Sequence, residues 1–304
     1  MTRADRVFAG LVALALGSSA VLIALFGTLL LRAEQLLAHG PDDTADLVIV
    51  FVLGLALCGI GLGLVSLLRQ LLATAALIRS LLRRTVPASG ELRTLAARLG
   101  LAGRIDVVAD PRPFSFCYWF LRPRVCLSTG LLDRLEAEEV EAVLLHERSH
   151  LRRRDPLRLV IARYFAAGLY VVPVVEDLVE HYTLEKELEA DQDAVSALGD
   201  VRPLARALYK VLPDADQVDL GLLTPVGALS VTEARIDQLV SGAPLPLHLS
   251  ALHVALSGGA LVAAAVLALV EGPAAPGLFV APATLLFAAA VSGGVQQLRL
   301  VTKP

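Results

Sequence analysis

The amino-acid sequence predicts an α-helical membrane protein, with about four transmembrane helices and a cytoplasmic α+β domain carried between them. Three observations lead there. Hydrophobic residues make up 56% of the 304, and the mean hydropathy of +0.66 exceeds what an ordinary soluble domain carries. Residues 7–31 and 47–68 contain no charge and are each long enough to cross the hydrocarbon core of a bilayer. The charged residues gather instead in a central block, where 87–246 hold 18 Lys and Arg against 24 Asp and Glu.

The first span does not read as a cleaved signal peptide, because its apolar run is too long and no small-residue cleavage site closes it. After the second span, residues 69–84 interleave four arginines with Leu, Ile and Ala and contain no acid. They read either as an extension of the second helix out of the membrane or along anionic headgroups, or as a solvated helix face. Residues 254–270 and 277–295 form a further apolar pair, a helical hairpin in the bilayer. The domain division is therefore 1–84, a two-span hairpin with a basic extension; 85–247, the cytoplasmic domain; and 248–304, a second two-span hairpin. Arginines precede the first span and follow the second, whereas the first loop carries Glu34, Asp42, Asp43 and Asp46. The positive-inside rule then puts both termini and residues 69–250 in the cytoplasm. Three Lys against 24 Arg, with abundant Ala and Leu, suggests a high-GC bacterial genome and hence a bacterial cytoplasmic membrane.

The central block is long enough for one domain with its own core, and its acidic balance gives no sign of a nucleic-acid partner. Residues 105–109, 114–120 and 125–128 are β-branched or aromatic runs bounded by Pro and Arg-Pro turns, consistent with a small antiparallel sheet. Of these, 125–128 is a candidate edge strand for holding a peptide in extended form. Residues 133–154 read as a helix, with Glu136, Glu138, Glu139 and Glu141 early and Arg152, Arg153 and Arg154 late, as the helix dipole favours. Asp155 and Pro156 read as the N-cap and first position of a helix over 157–175, buried or resting on the membrane face rather than a fifth span. A further helix covers 174–198. Cys117 and Cys126 lie symmetrically about Leu121 and Arg122 and are placed to face each other across the turn as free thiols.

The residues that carry chemistry are His146, Glu147, Arg148, Ser149 and His150, which spell H-E-x-x-H. Random placement of this chain's His and Glu gives that pattern in about one sequence in two hundred. On a helix, the spacing sets both imidazoles on one face, one turn apart, able to grip a single Zn2+ ion with Glu147 beside it. Such an ion lowers the pKa of a bound water toward neutrality. Glu147 can then take the water's proton and pass it to a leaving amine, the chemistry of peptide hydrolysis. A third ligand is needed, and Glu187 and Asp191 lie one turn apart on the 174–198 helix; one carboxylate can bind the ion while the other accepts a ring N–H from a histidine ligand. Glu185 and Glu189 share that segment and remain open as the ligand. His181, another turn upstream, reads as a lone surface histidine, with a ligand or oxyanion-donor role as the alternative.

H-E-R-S-H followed by Leu151, Arg152, Arg153, Arg154 and Asp155, and then E-L-E-A-D at 187–191, resembles the gluzincin peptidases of the β-lactam sensor-transducer (antirepressor, BlaR/MecR-like) family. Residues 114–132 also resemble that family's hairpin before the active-site helix. Together the resemblance covers about 105–240. It implies a zincin-like (gluzincin) domain in which His146, His150 and Glu187 bind zinc, Glu147 is the catalytic base, and Asp191 stands behind a ligand. Residues 233–239 look like the R-I-x-x-L segment that closes the domain, with Arg235 contacting substrate or binding a carboxylate of the fold. Prenyl-protein proteases and heat-shock membrane proteases share the H-E-x-x-H and E-x-x-x-D pair. Receptor members carry a penicillin-binding sensor domain after the last span; this chain is expected to lack one and to read another signal.

The function expected is a membrane-bound zinc metalloendopeptidase that cuts a protein or peptide substrate at the cytoplasmic face of the bilayer. The resemblance suggests a transcriptional repressor as substrate, in signalling by regulated proteolysis, with a membrane protein as a further partner. The alternatives are a constitutive quality-control or processing protease and a non-catalytic, zinc-stabilised receptor or scaffold.

Overall fold

A computed structural model describes residues 2–39, 44–211, 235, 249–269 and 288–293. The chain is mostly helical and its contacts divide it into two units: 1–68, 161–182 and 247–304 in the first, and 69–160 with 183–246 in the second.

The first unit contains α1 (Arg3–His39), the opening part of α2 (Thr44–Leu82) and α9 (Ala251–Leu269). Among the described residues, two helical stretches are long and apolar enough to cross a membrane, Arg3–Val21 and Val50–Leu82, and Ala251–Ala263 is a shorter apolar helix. Of the expected fourth span only 288–293 is described, as helix; its remainder lies outside the described residues. At 39 residues, α2 is about 58 Å long, so the basic stretch 69–84 does continue the second helix through Leu82. Close helix packing here uses missing side chains: a Cβ on Gly59 would lie 2.4 Å from the carbonyl oxygen of Gly168, and one on Gly63 3.3 Å from its Cα. Leu11, Ala15, Ala162, Val172, Val175 and Tyr182 belong to this unit's core.

The second unit is built on a four-stranded sheet of β1 (Thr85–Val86), β2 (Ile105–Val108), β3 (Ser115–Tyr118) and β4 (Arg124–Ser128), in the order β1-β2-β4-β3. β3 and β4 form the expected antiparallel hairpin, but β2 and β4 run parallel, Ile105 opposite Val125 and Val108 opposite Ser128. The sheet is therefore mixed, not antiparallel. β4 is an interior strand, so the open edge beside the hairpin, among the described residues, belongs to β3; both faces of β4 are covered, which is why its sequence reads as a continuous apolar run. Val125 and Leu127 face a core with Leu92, Leu101, Leu131, Val140 and Leu144, while Cys126 faces the opposite one with Ile78, Leu81, Phe114 and Tyr118. Cys117 pairs with Val125 and Cys126 with Phe116. Since side chains alternate across a sheet, the two thiols point to opposite faces and do not meet.

The helices of this unit are α3 (Gly90–Arg98), α4 (Thr129–Arg134), α5 (Ala137–Arg153) and α8 (Arg202–Val211). α6 (Asp155–Gly168) and α7 (Val174–Leu198) contribute to both units. The expected single helix over 133–154 is broken, because Leu135 and Glu136 are extended and a capping box of Glu136 with Glu139 restarts the chain as α5. Glu139 is fully buried, accepting from the Glu136 N–H at 2.9 Å and from Lys210 at 2.7 Å, which ties α8 to α5. α5 ends on Arg154 in the left-handed conformation, φ 56°, a sharp reversal that starts α6 at Asp155. Gly130 sits where a Cβ would lie 2.0 Å from the Pro111 carbonyl oxygen. Gly130→Ala is expected to destabilise the protein by about 1–3 kcal/mol through this backbone clash, read as a lowered thermal midpoint in detergent.

Candidate metal centre

On α5, His146 and His150 lie one turn apart with their Nε2 atoms 3.0 Å from each other. α7 brings Glu187 against them, with Oε2 3.5 Å from His146 Nε2 and Oε1 3.6 Å from His150 Nε2. Donor atoms of the three residues all fall within 4.8 Å of one another. The histidines are 7% and 6% exposed.

Behind this triangle each imidazole is oriented by a carboxylate. His146 Nδ1 is 2.8 Å from Asp191 Oδ1, and His150 Nδ1 is 2.7 Å from Asp155 Oδ2. Arg235 donates through Nε and Nη2 to both oxygens of Asp191, each at 2.7 Å. A carboxylate so engaged is an acceptor, which assigns the ring hydrogen of each histidine to Nδ1. In the neutral rings both Nε2 atoms are then lone pairs, facing each other and a third acceptor on Glu187. Three acceptors converging on one point repel unless a cation lies between them, so the donor set fits a metal ion.

Without such an ion the same carboxylates work on the histidines. Burial alone would lower the pKa of both, but Glu187 and Asp155 outweigh it at His150 and raise it to about 10, and Asp191 with Glu187 raises His146. Burial would raise Glu187, yet His150, Lys186 and His146 together hold it well below the usual carboxylate range. Asp191 is likewise lowered, against its burial, by Arg235 and His146. Lys186 Nζ, itself buried, lies 3.2 Å from Glu187 Oε1.

Glu147 follows His146 on α5 and is itself buried. Ser115 on β3 donates to its Oε1 at 2.8 Å, while Oε2 is buried with no hydrogen-bond partner among the described residues. Cys117, two residues along the same face of β3, donates to the Glu147 backbone carbonyl at 3.6 Å. Burial pushes the Cys117 thiol well above its ordinary pKa, and the Glu147 charge adds to this.

The structure thus gathers His146, Glu147, His150, Glu187, Asp191 and Arg235, with Arg235 on a carboxylate of the fold. Of the alternative acids, Glu189 is paired with Arg153, and Glu185, buried on α7, is not among the gathered donors. His181 is buried rather than on the surface, falls in the first unit, and is not among those donors either. Asp155 is the main correction. It begins α6, but its side chain orients His150, because the left-handed turn at Arg154 folds it back by five residues. Ser115 and Lys186 were not anticipated. Lys186 adjoins Glu187 in sequence and could have been suspected, but Ser115 is 32 residues from Glu147 and gives no local signal.

Residues 40–238 match the protein family described as BlaR1 peptidase M56. Among curated proteins, the chain is similar to a protease HtpX homolog of Halobacterium salinarum, 32% identical over 120 residues, covering 31% of this chain and 42% of that protein. It is also similar to one of Methanothermobacter thermautotrophicus, 28% identical over 153 residues, covering 42% of this chain and 59% of the relative. Protease HtpX homolog 1 of Streptomyces coelicolor is 32% identical over 88 residues, covering 28% and 27% respectively. In each case the match spans less than two thirds of the relative.

Proposed function

Since the chain belongs to the BlaR1 peptidase M56 family, we propose that it is a membrane-bound zinc endopeptidase cutting protein substrates at the cytoplasmic membrane face. The observation that carries this is the pair of facing Nε2 atoms closed by Glu187, each ring held from behind by a carboxylate. His146, His150 and Glu187 would hold one Zn2+ ion, leaving a fourth position open. When bound, that ion supplies Lewis acidity and makes water nucleophilic near neutral pH. Glu147 takes the proton of the attacking water and returns it to the leaving amine. Asp155 and Asp191 fix the ring tautomers, and Arg235 keeps Asp191 ionised. The open edge of β3 holds the substrate backbone in extended form next to Glu147.

In this reading the chain crosses the membrane four times with both termini and the peptidase domain in the cytoplasm, as its arginine distribution argues. The substrate is a transcriptional repressor or another regulatory protein. A constitutive processing or quality-control peptidase is the second reading, which the naming of the HtpX relatives as proteases accommodates equally. Purified full-length protein offered a repressor-type substrate and a generic unfolded protein separates the two; cleavage of the unfolded protein alone rejects the signalling role. Asp155→Ala is expected to weaken zinc binding by about 10–100-fold, measured by chelator competition, with cleavage recovering as zinc is raised.

A further inference from the structure

Glu147 is tethered at one oxygen only. Ser115 Oγ donates to Oε1 at 2.8 Å, whereas the buried Oε2 meets no hydrogen-bond partner among the described residues. The tether comes from a strand held in place. β3 pairs with β4 through Ser115 opposite Leu127 and Tyr118 opposite Arg124, and Ser115 shares its face with Cys117, whose thiol meets the backbone carbonyl of Glu147 itself. A carboxylate free to rotate about its last torsion offers either oxygen in many orientations. One whose Oε1 is held from the strand side offers Oε2 in a single direction.

We propose that Ser115 is a positioning residue for Glu147, its hydroxyl fixing Oε1 so that Oε2 is the oxygen that takes and returns the proton. This rests on the peptidase reading of the site. In the step it governs, Oε2 accepts a proton from water as the water oxygen bonds to the peptide carbon. The C–N bond then breaks and the same proton passes from Oε2 to the departing nitrogen. Ser115 keeps its own proton throughout, donating to Oε1. Because Ser115 lies on the strand whose open edge would receive the substrate, extended-chain binding and alignment of the base share one rigid element.

The test compares wild type, Ser115→Ala, Ser115→Thr and Glu147→Gln, each purified full length in detergent, with a repressor-type and a generic unfolded protein as substrates, kcat being read on the one wild type cuts faster, and zinc content measured alongside. In Ser115→Ala, kcat is expected to fall about tenfold, the scale of one hydrogen bond to a charged group, with KM within about twofold and zinc retained. Ser115→Thr, which restores a hydroxyl, recovers kcat to within about threefold of wild type. An unchanged kcat in Ser115→Ala overturns the proposal. So does a loss that resides in KM or in zinc content, or a Thr variant as poor as Ala. If wild type cleaves neither substrate better than Glu147→Gln does, the peptidase reading falls instead and takes this inference with it.

Discussion

Glu147→Gln is expected to lower the cleavage rate by about 10²–10⁴-fold, the contribution of a positioned acid–base group, while zinc content stays at the wild-type level. The amide matches the carboxylate in size, and its carbonyl oxygen can still accept from Ser115, so the helix and the three gathered donors are left as they are. What is lost is the ability to take a proton. Turnover with a defined peptide and metal analysis on the same preparation check both halves. If the protein's cellular output survives the substitution, the site is a zinc staple between helices and the scaffold reading is correct.

Glu187→Ala should strike the metal itself. It removes the only carboxylate among the three gathered donors and leaves Lys186, which lies 3.2 Å from it, without that partner. Zinc affinity is expected to drop by more than the 10–100-fold that follows loss of an outer partner such as Asp155, and cleavage to disappear at ordinary zinc levels. Metal analysis after dialysis against a mild chelator gives the answer. A variant that keeps one tightly bound ion would move the third ligand to another acid of the same helix.

How much of this was legible beforehand depends on how far apart the cooperating residues lie. α7 was readable to its ends, and α5 was readable from its acids early, its arginines late and the i, i+4 histidines, because those signals are local to one helix. Glu187 and Asp191 were readable as a pair for the same reason. The break between α4 and α5 was missed because the acids that favour a helix start also suit its first turn, and only the Glu136–Glu139 capping box decides between them. The edge strand was misplaced because neighbours in a sheet need not be neighbours in sequence: β2 pairs with β4 across the intervening β3. Cys117 and Cys126 look symmetrical about the turn, yet the register puts Phe116 opposite Cys126 and turns the thiols apart. Asp155 suited a helix cap so well that its role behind His150 was hidden, since nothing in the sequence announces that Arg154 is left-handed.

The convergence of His146, His150 and Glu187 on one point also bears on the life of the protein before it is active. An occupant that binds only the folded form at a thousand times its dissociation constant adds about 4 kcal/mol to stability, a large share of what an ordinary domain possesses. On the proposed zinc reading, newly made chains starved of that occupant would be both idle and less stable. They would be the copies most open to degradation, so scarcity of the ion would thin the population instead of leaving dormant enzyme in the bilayer.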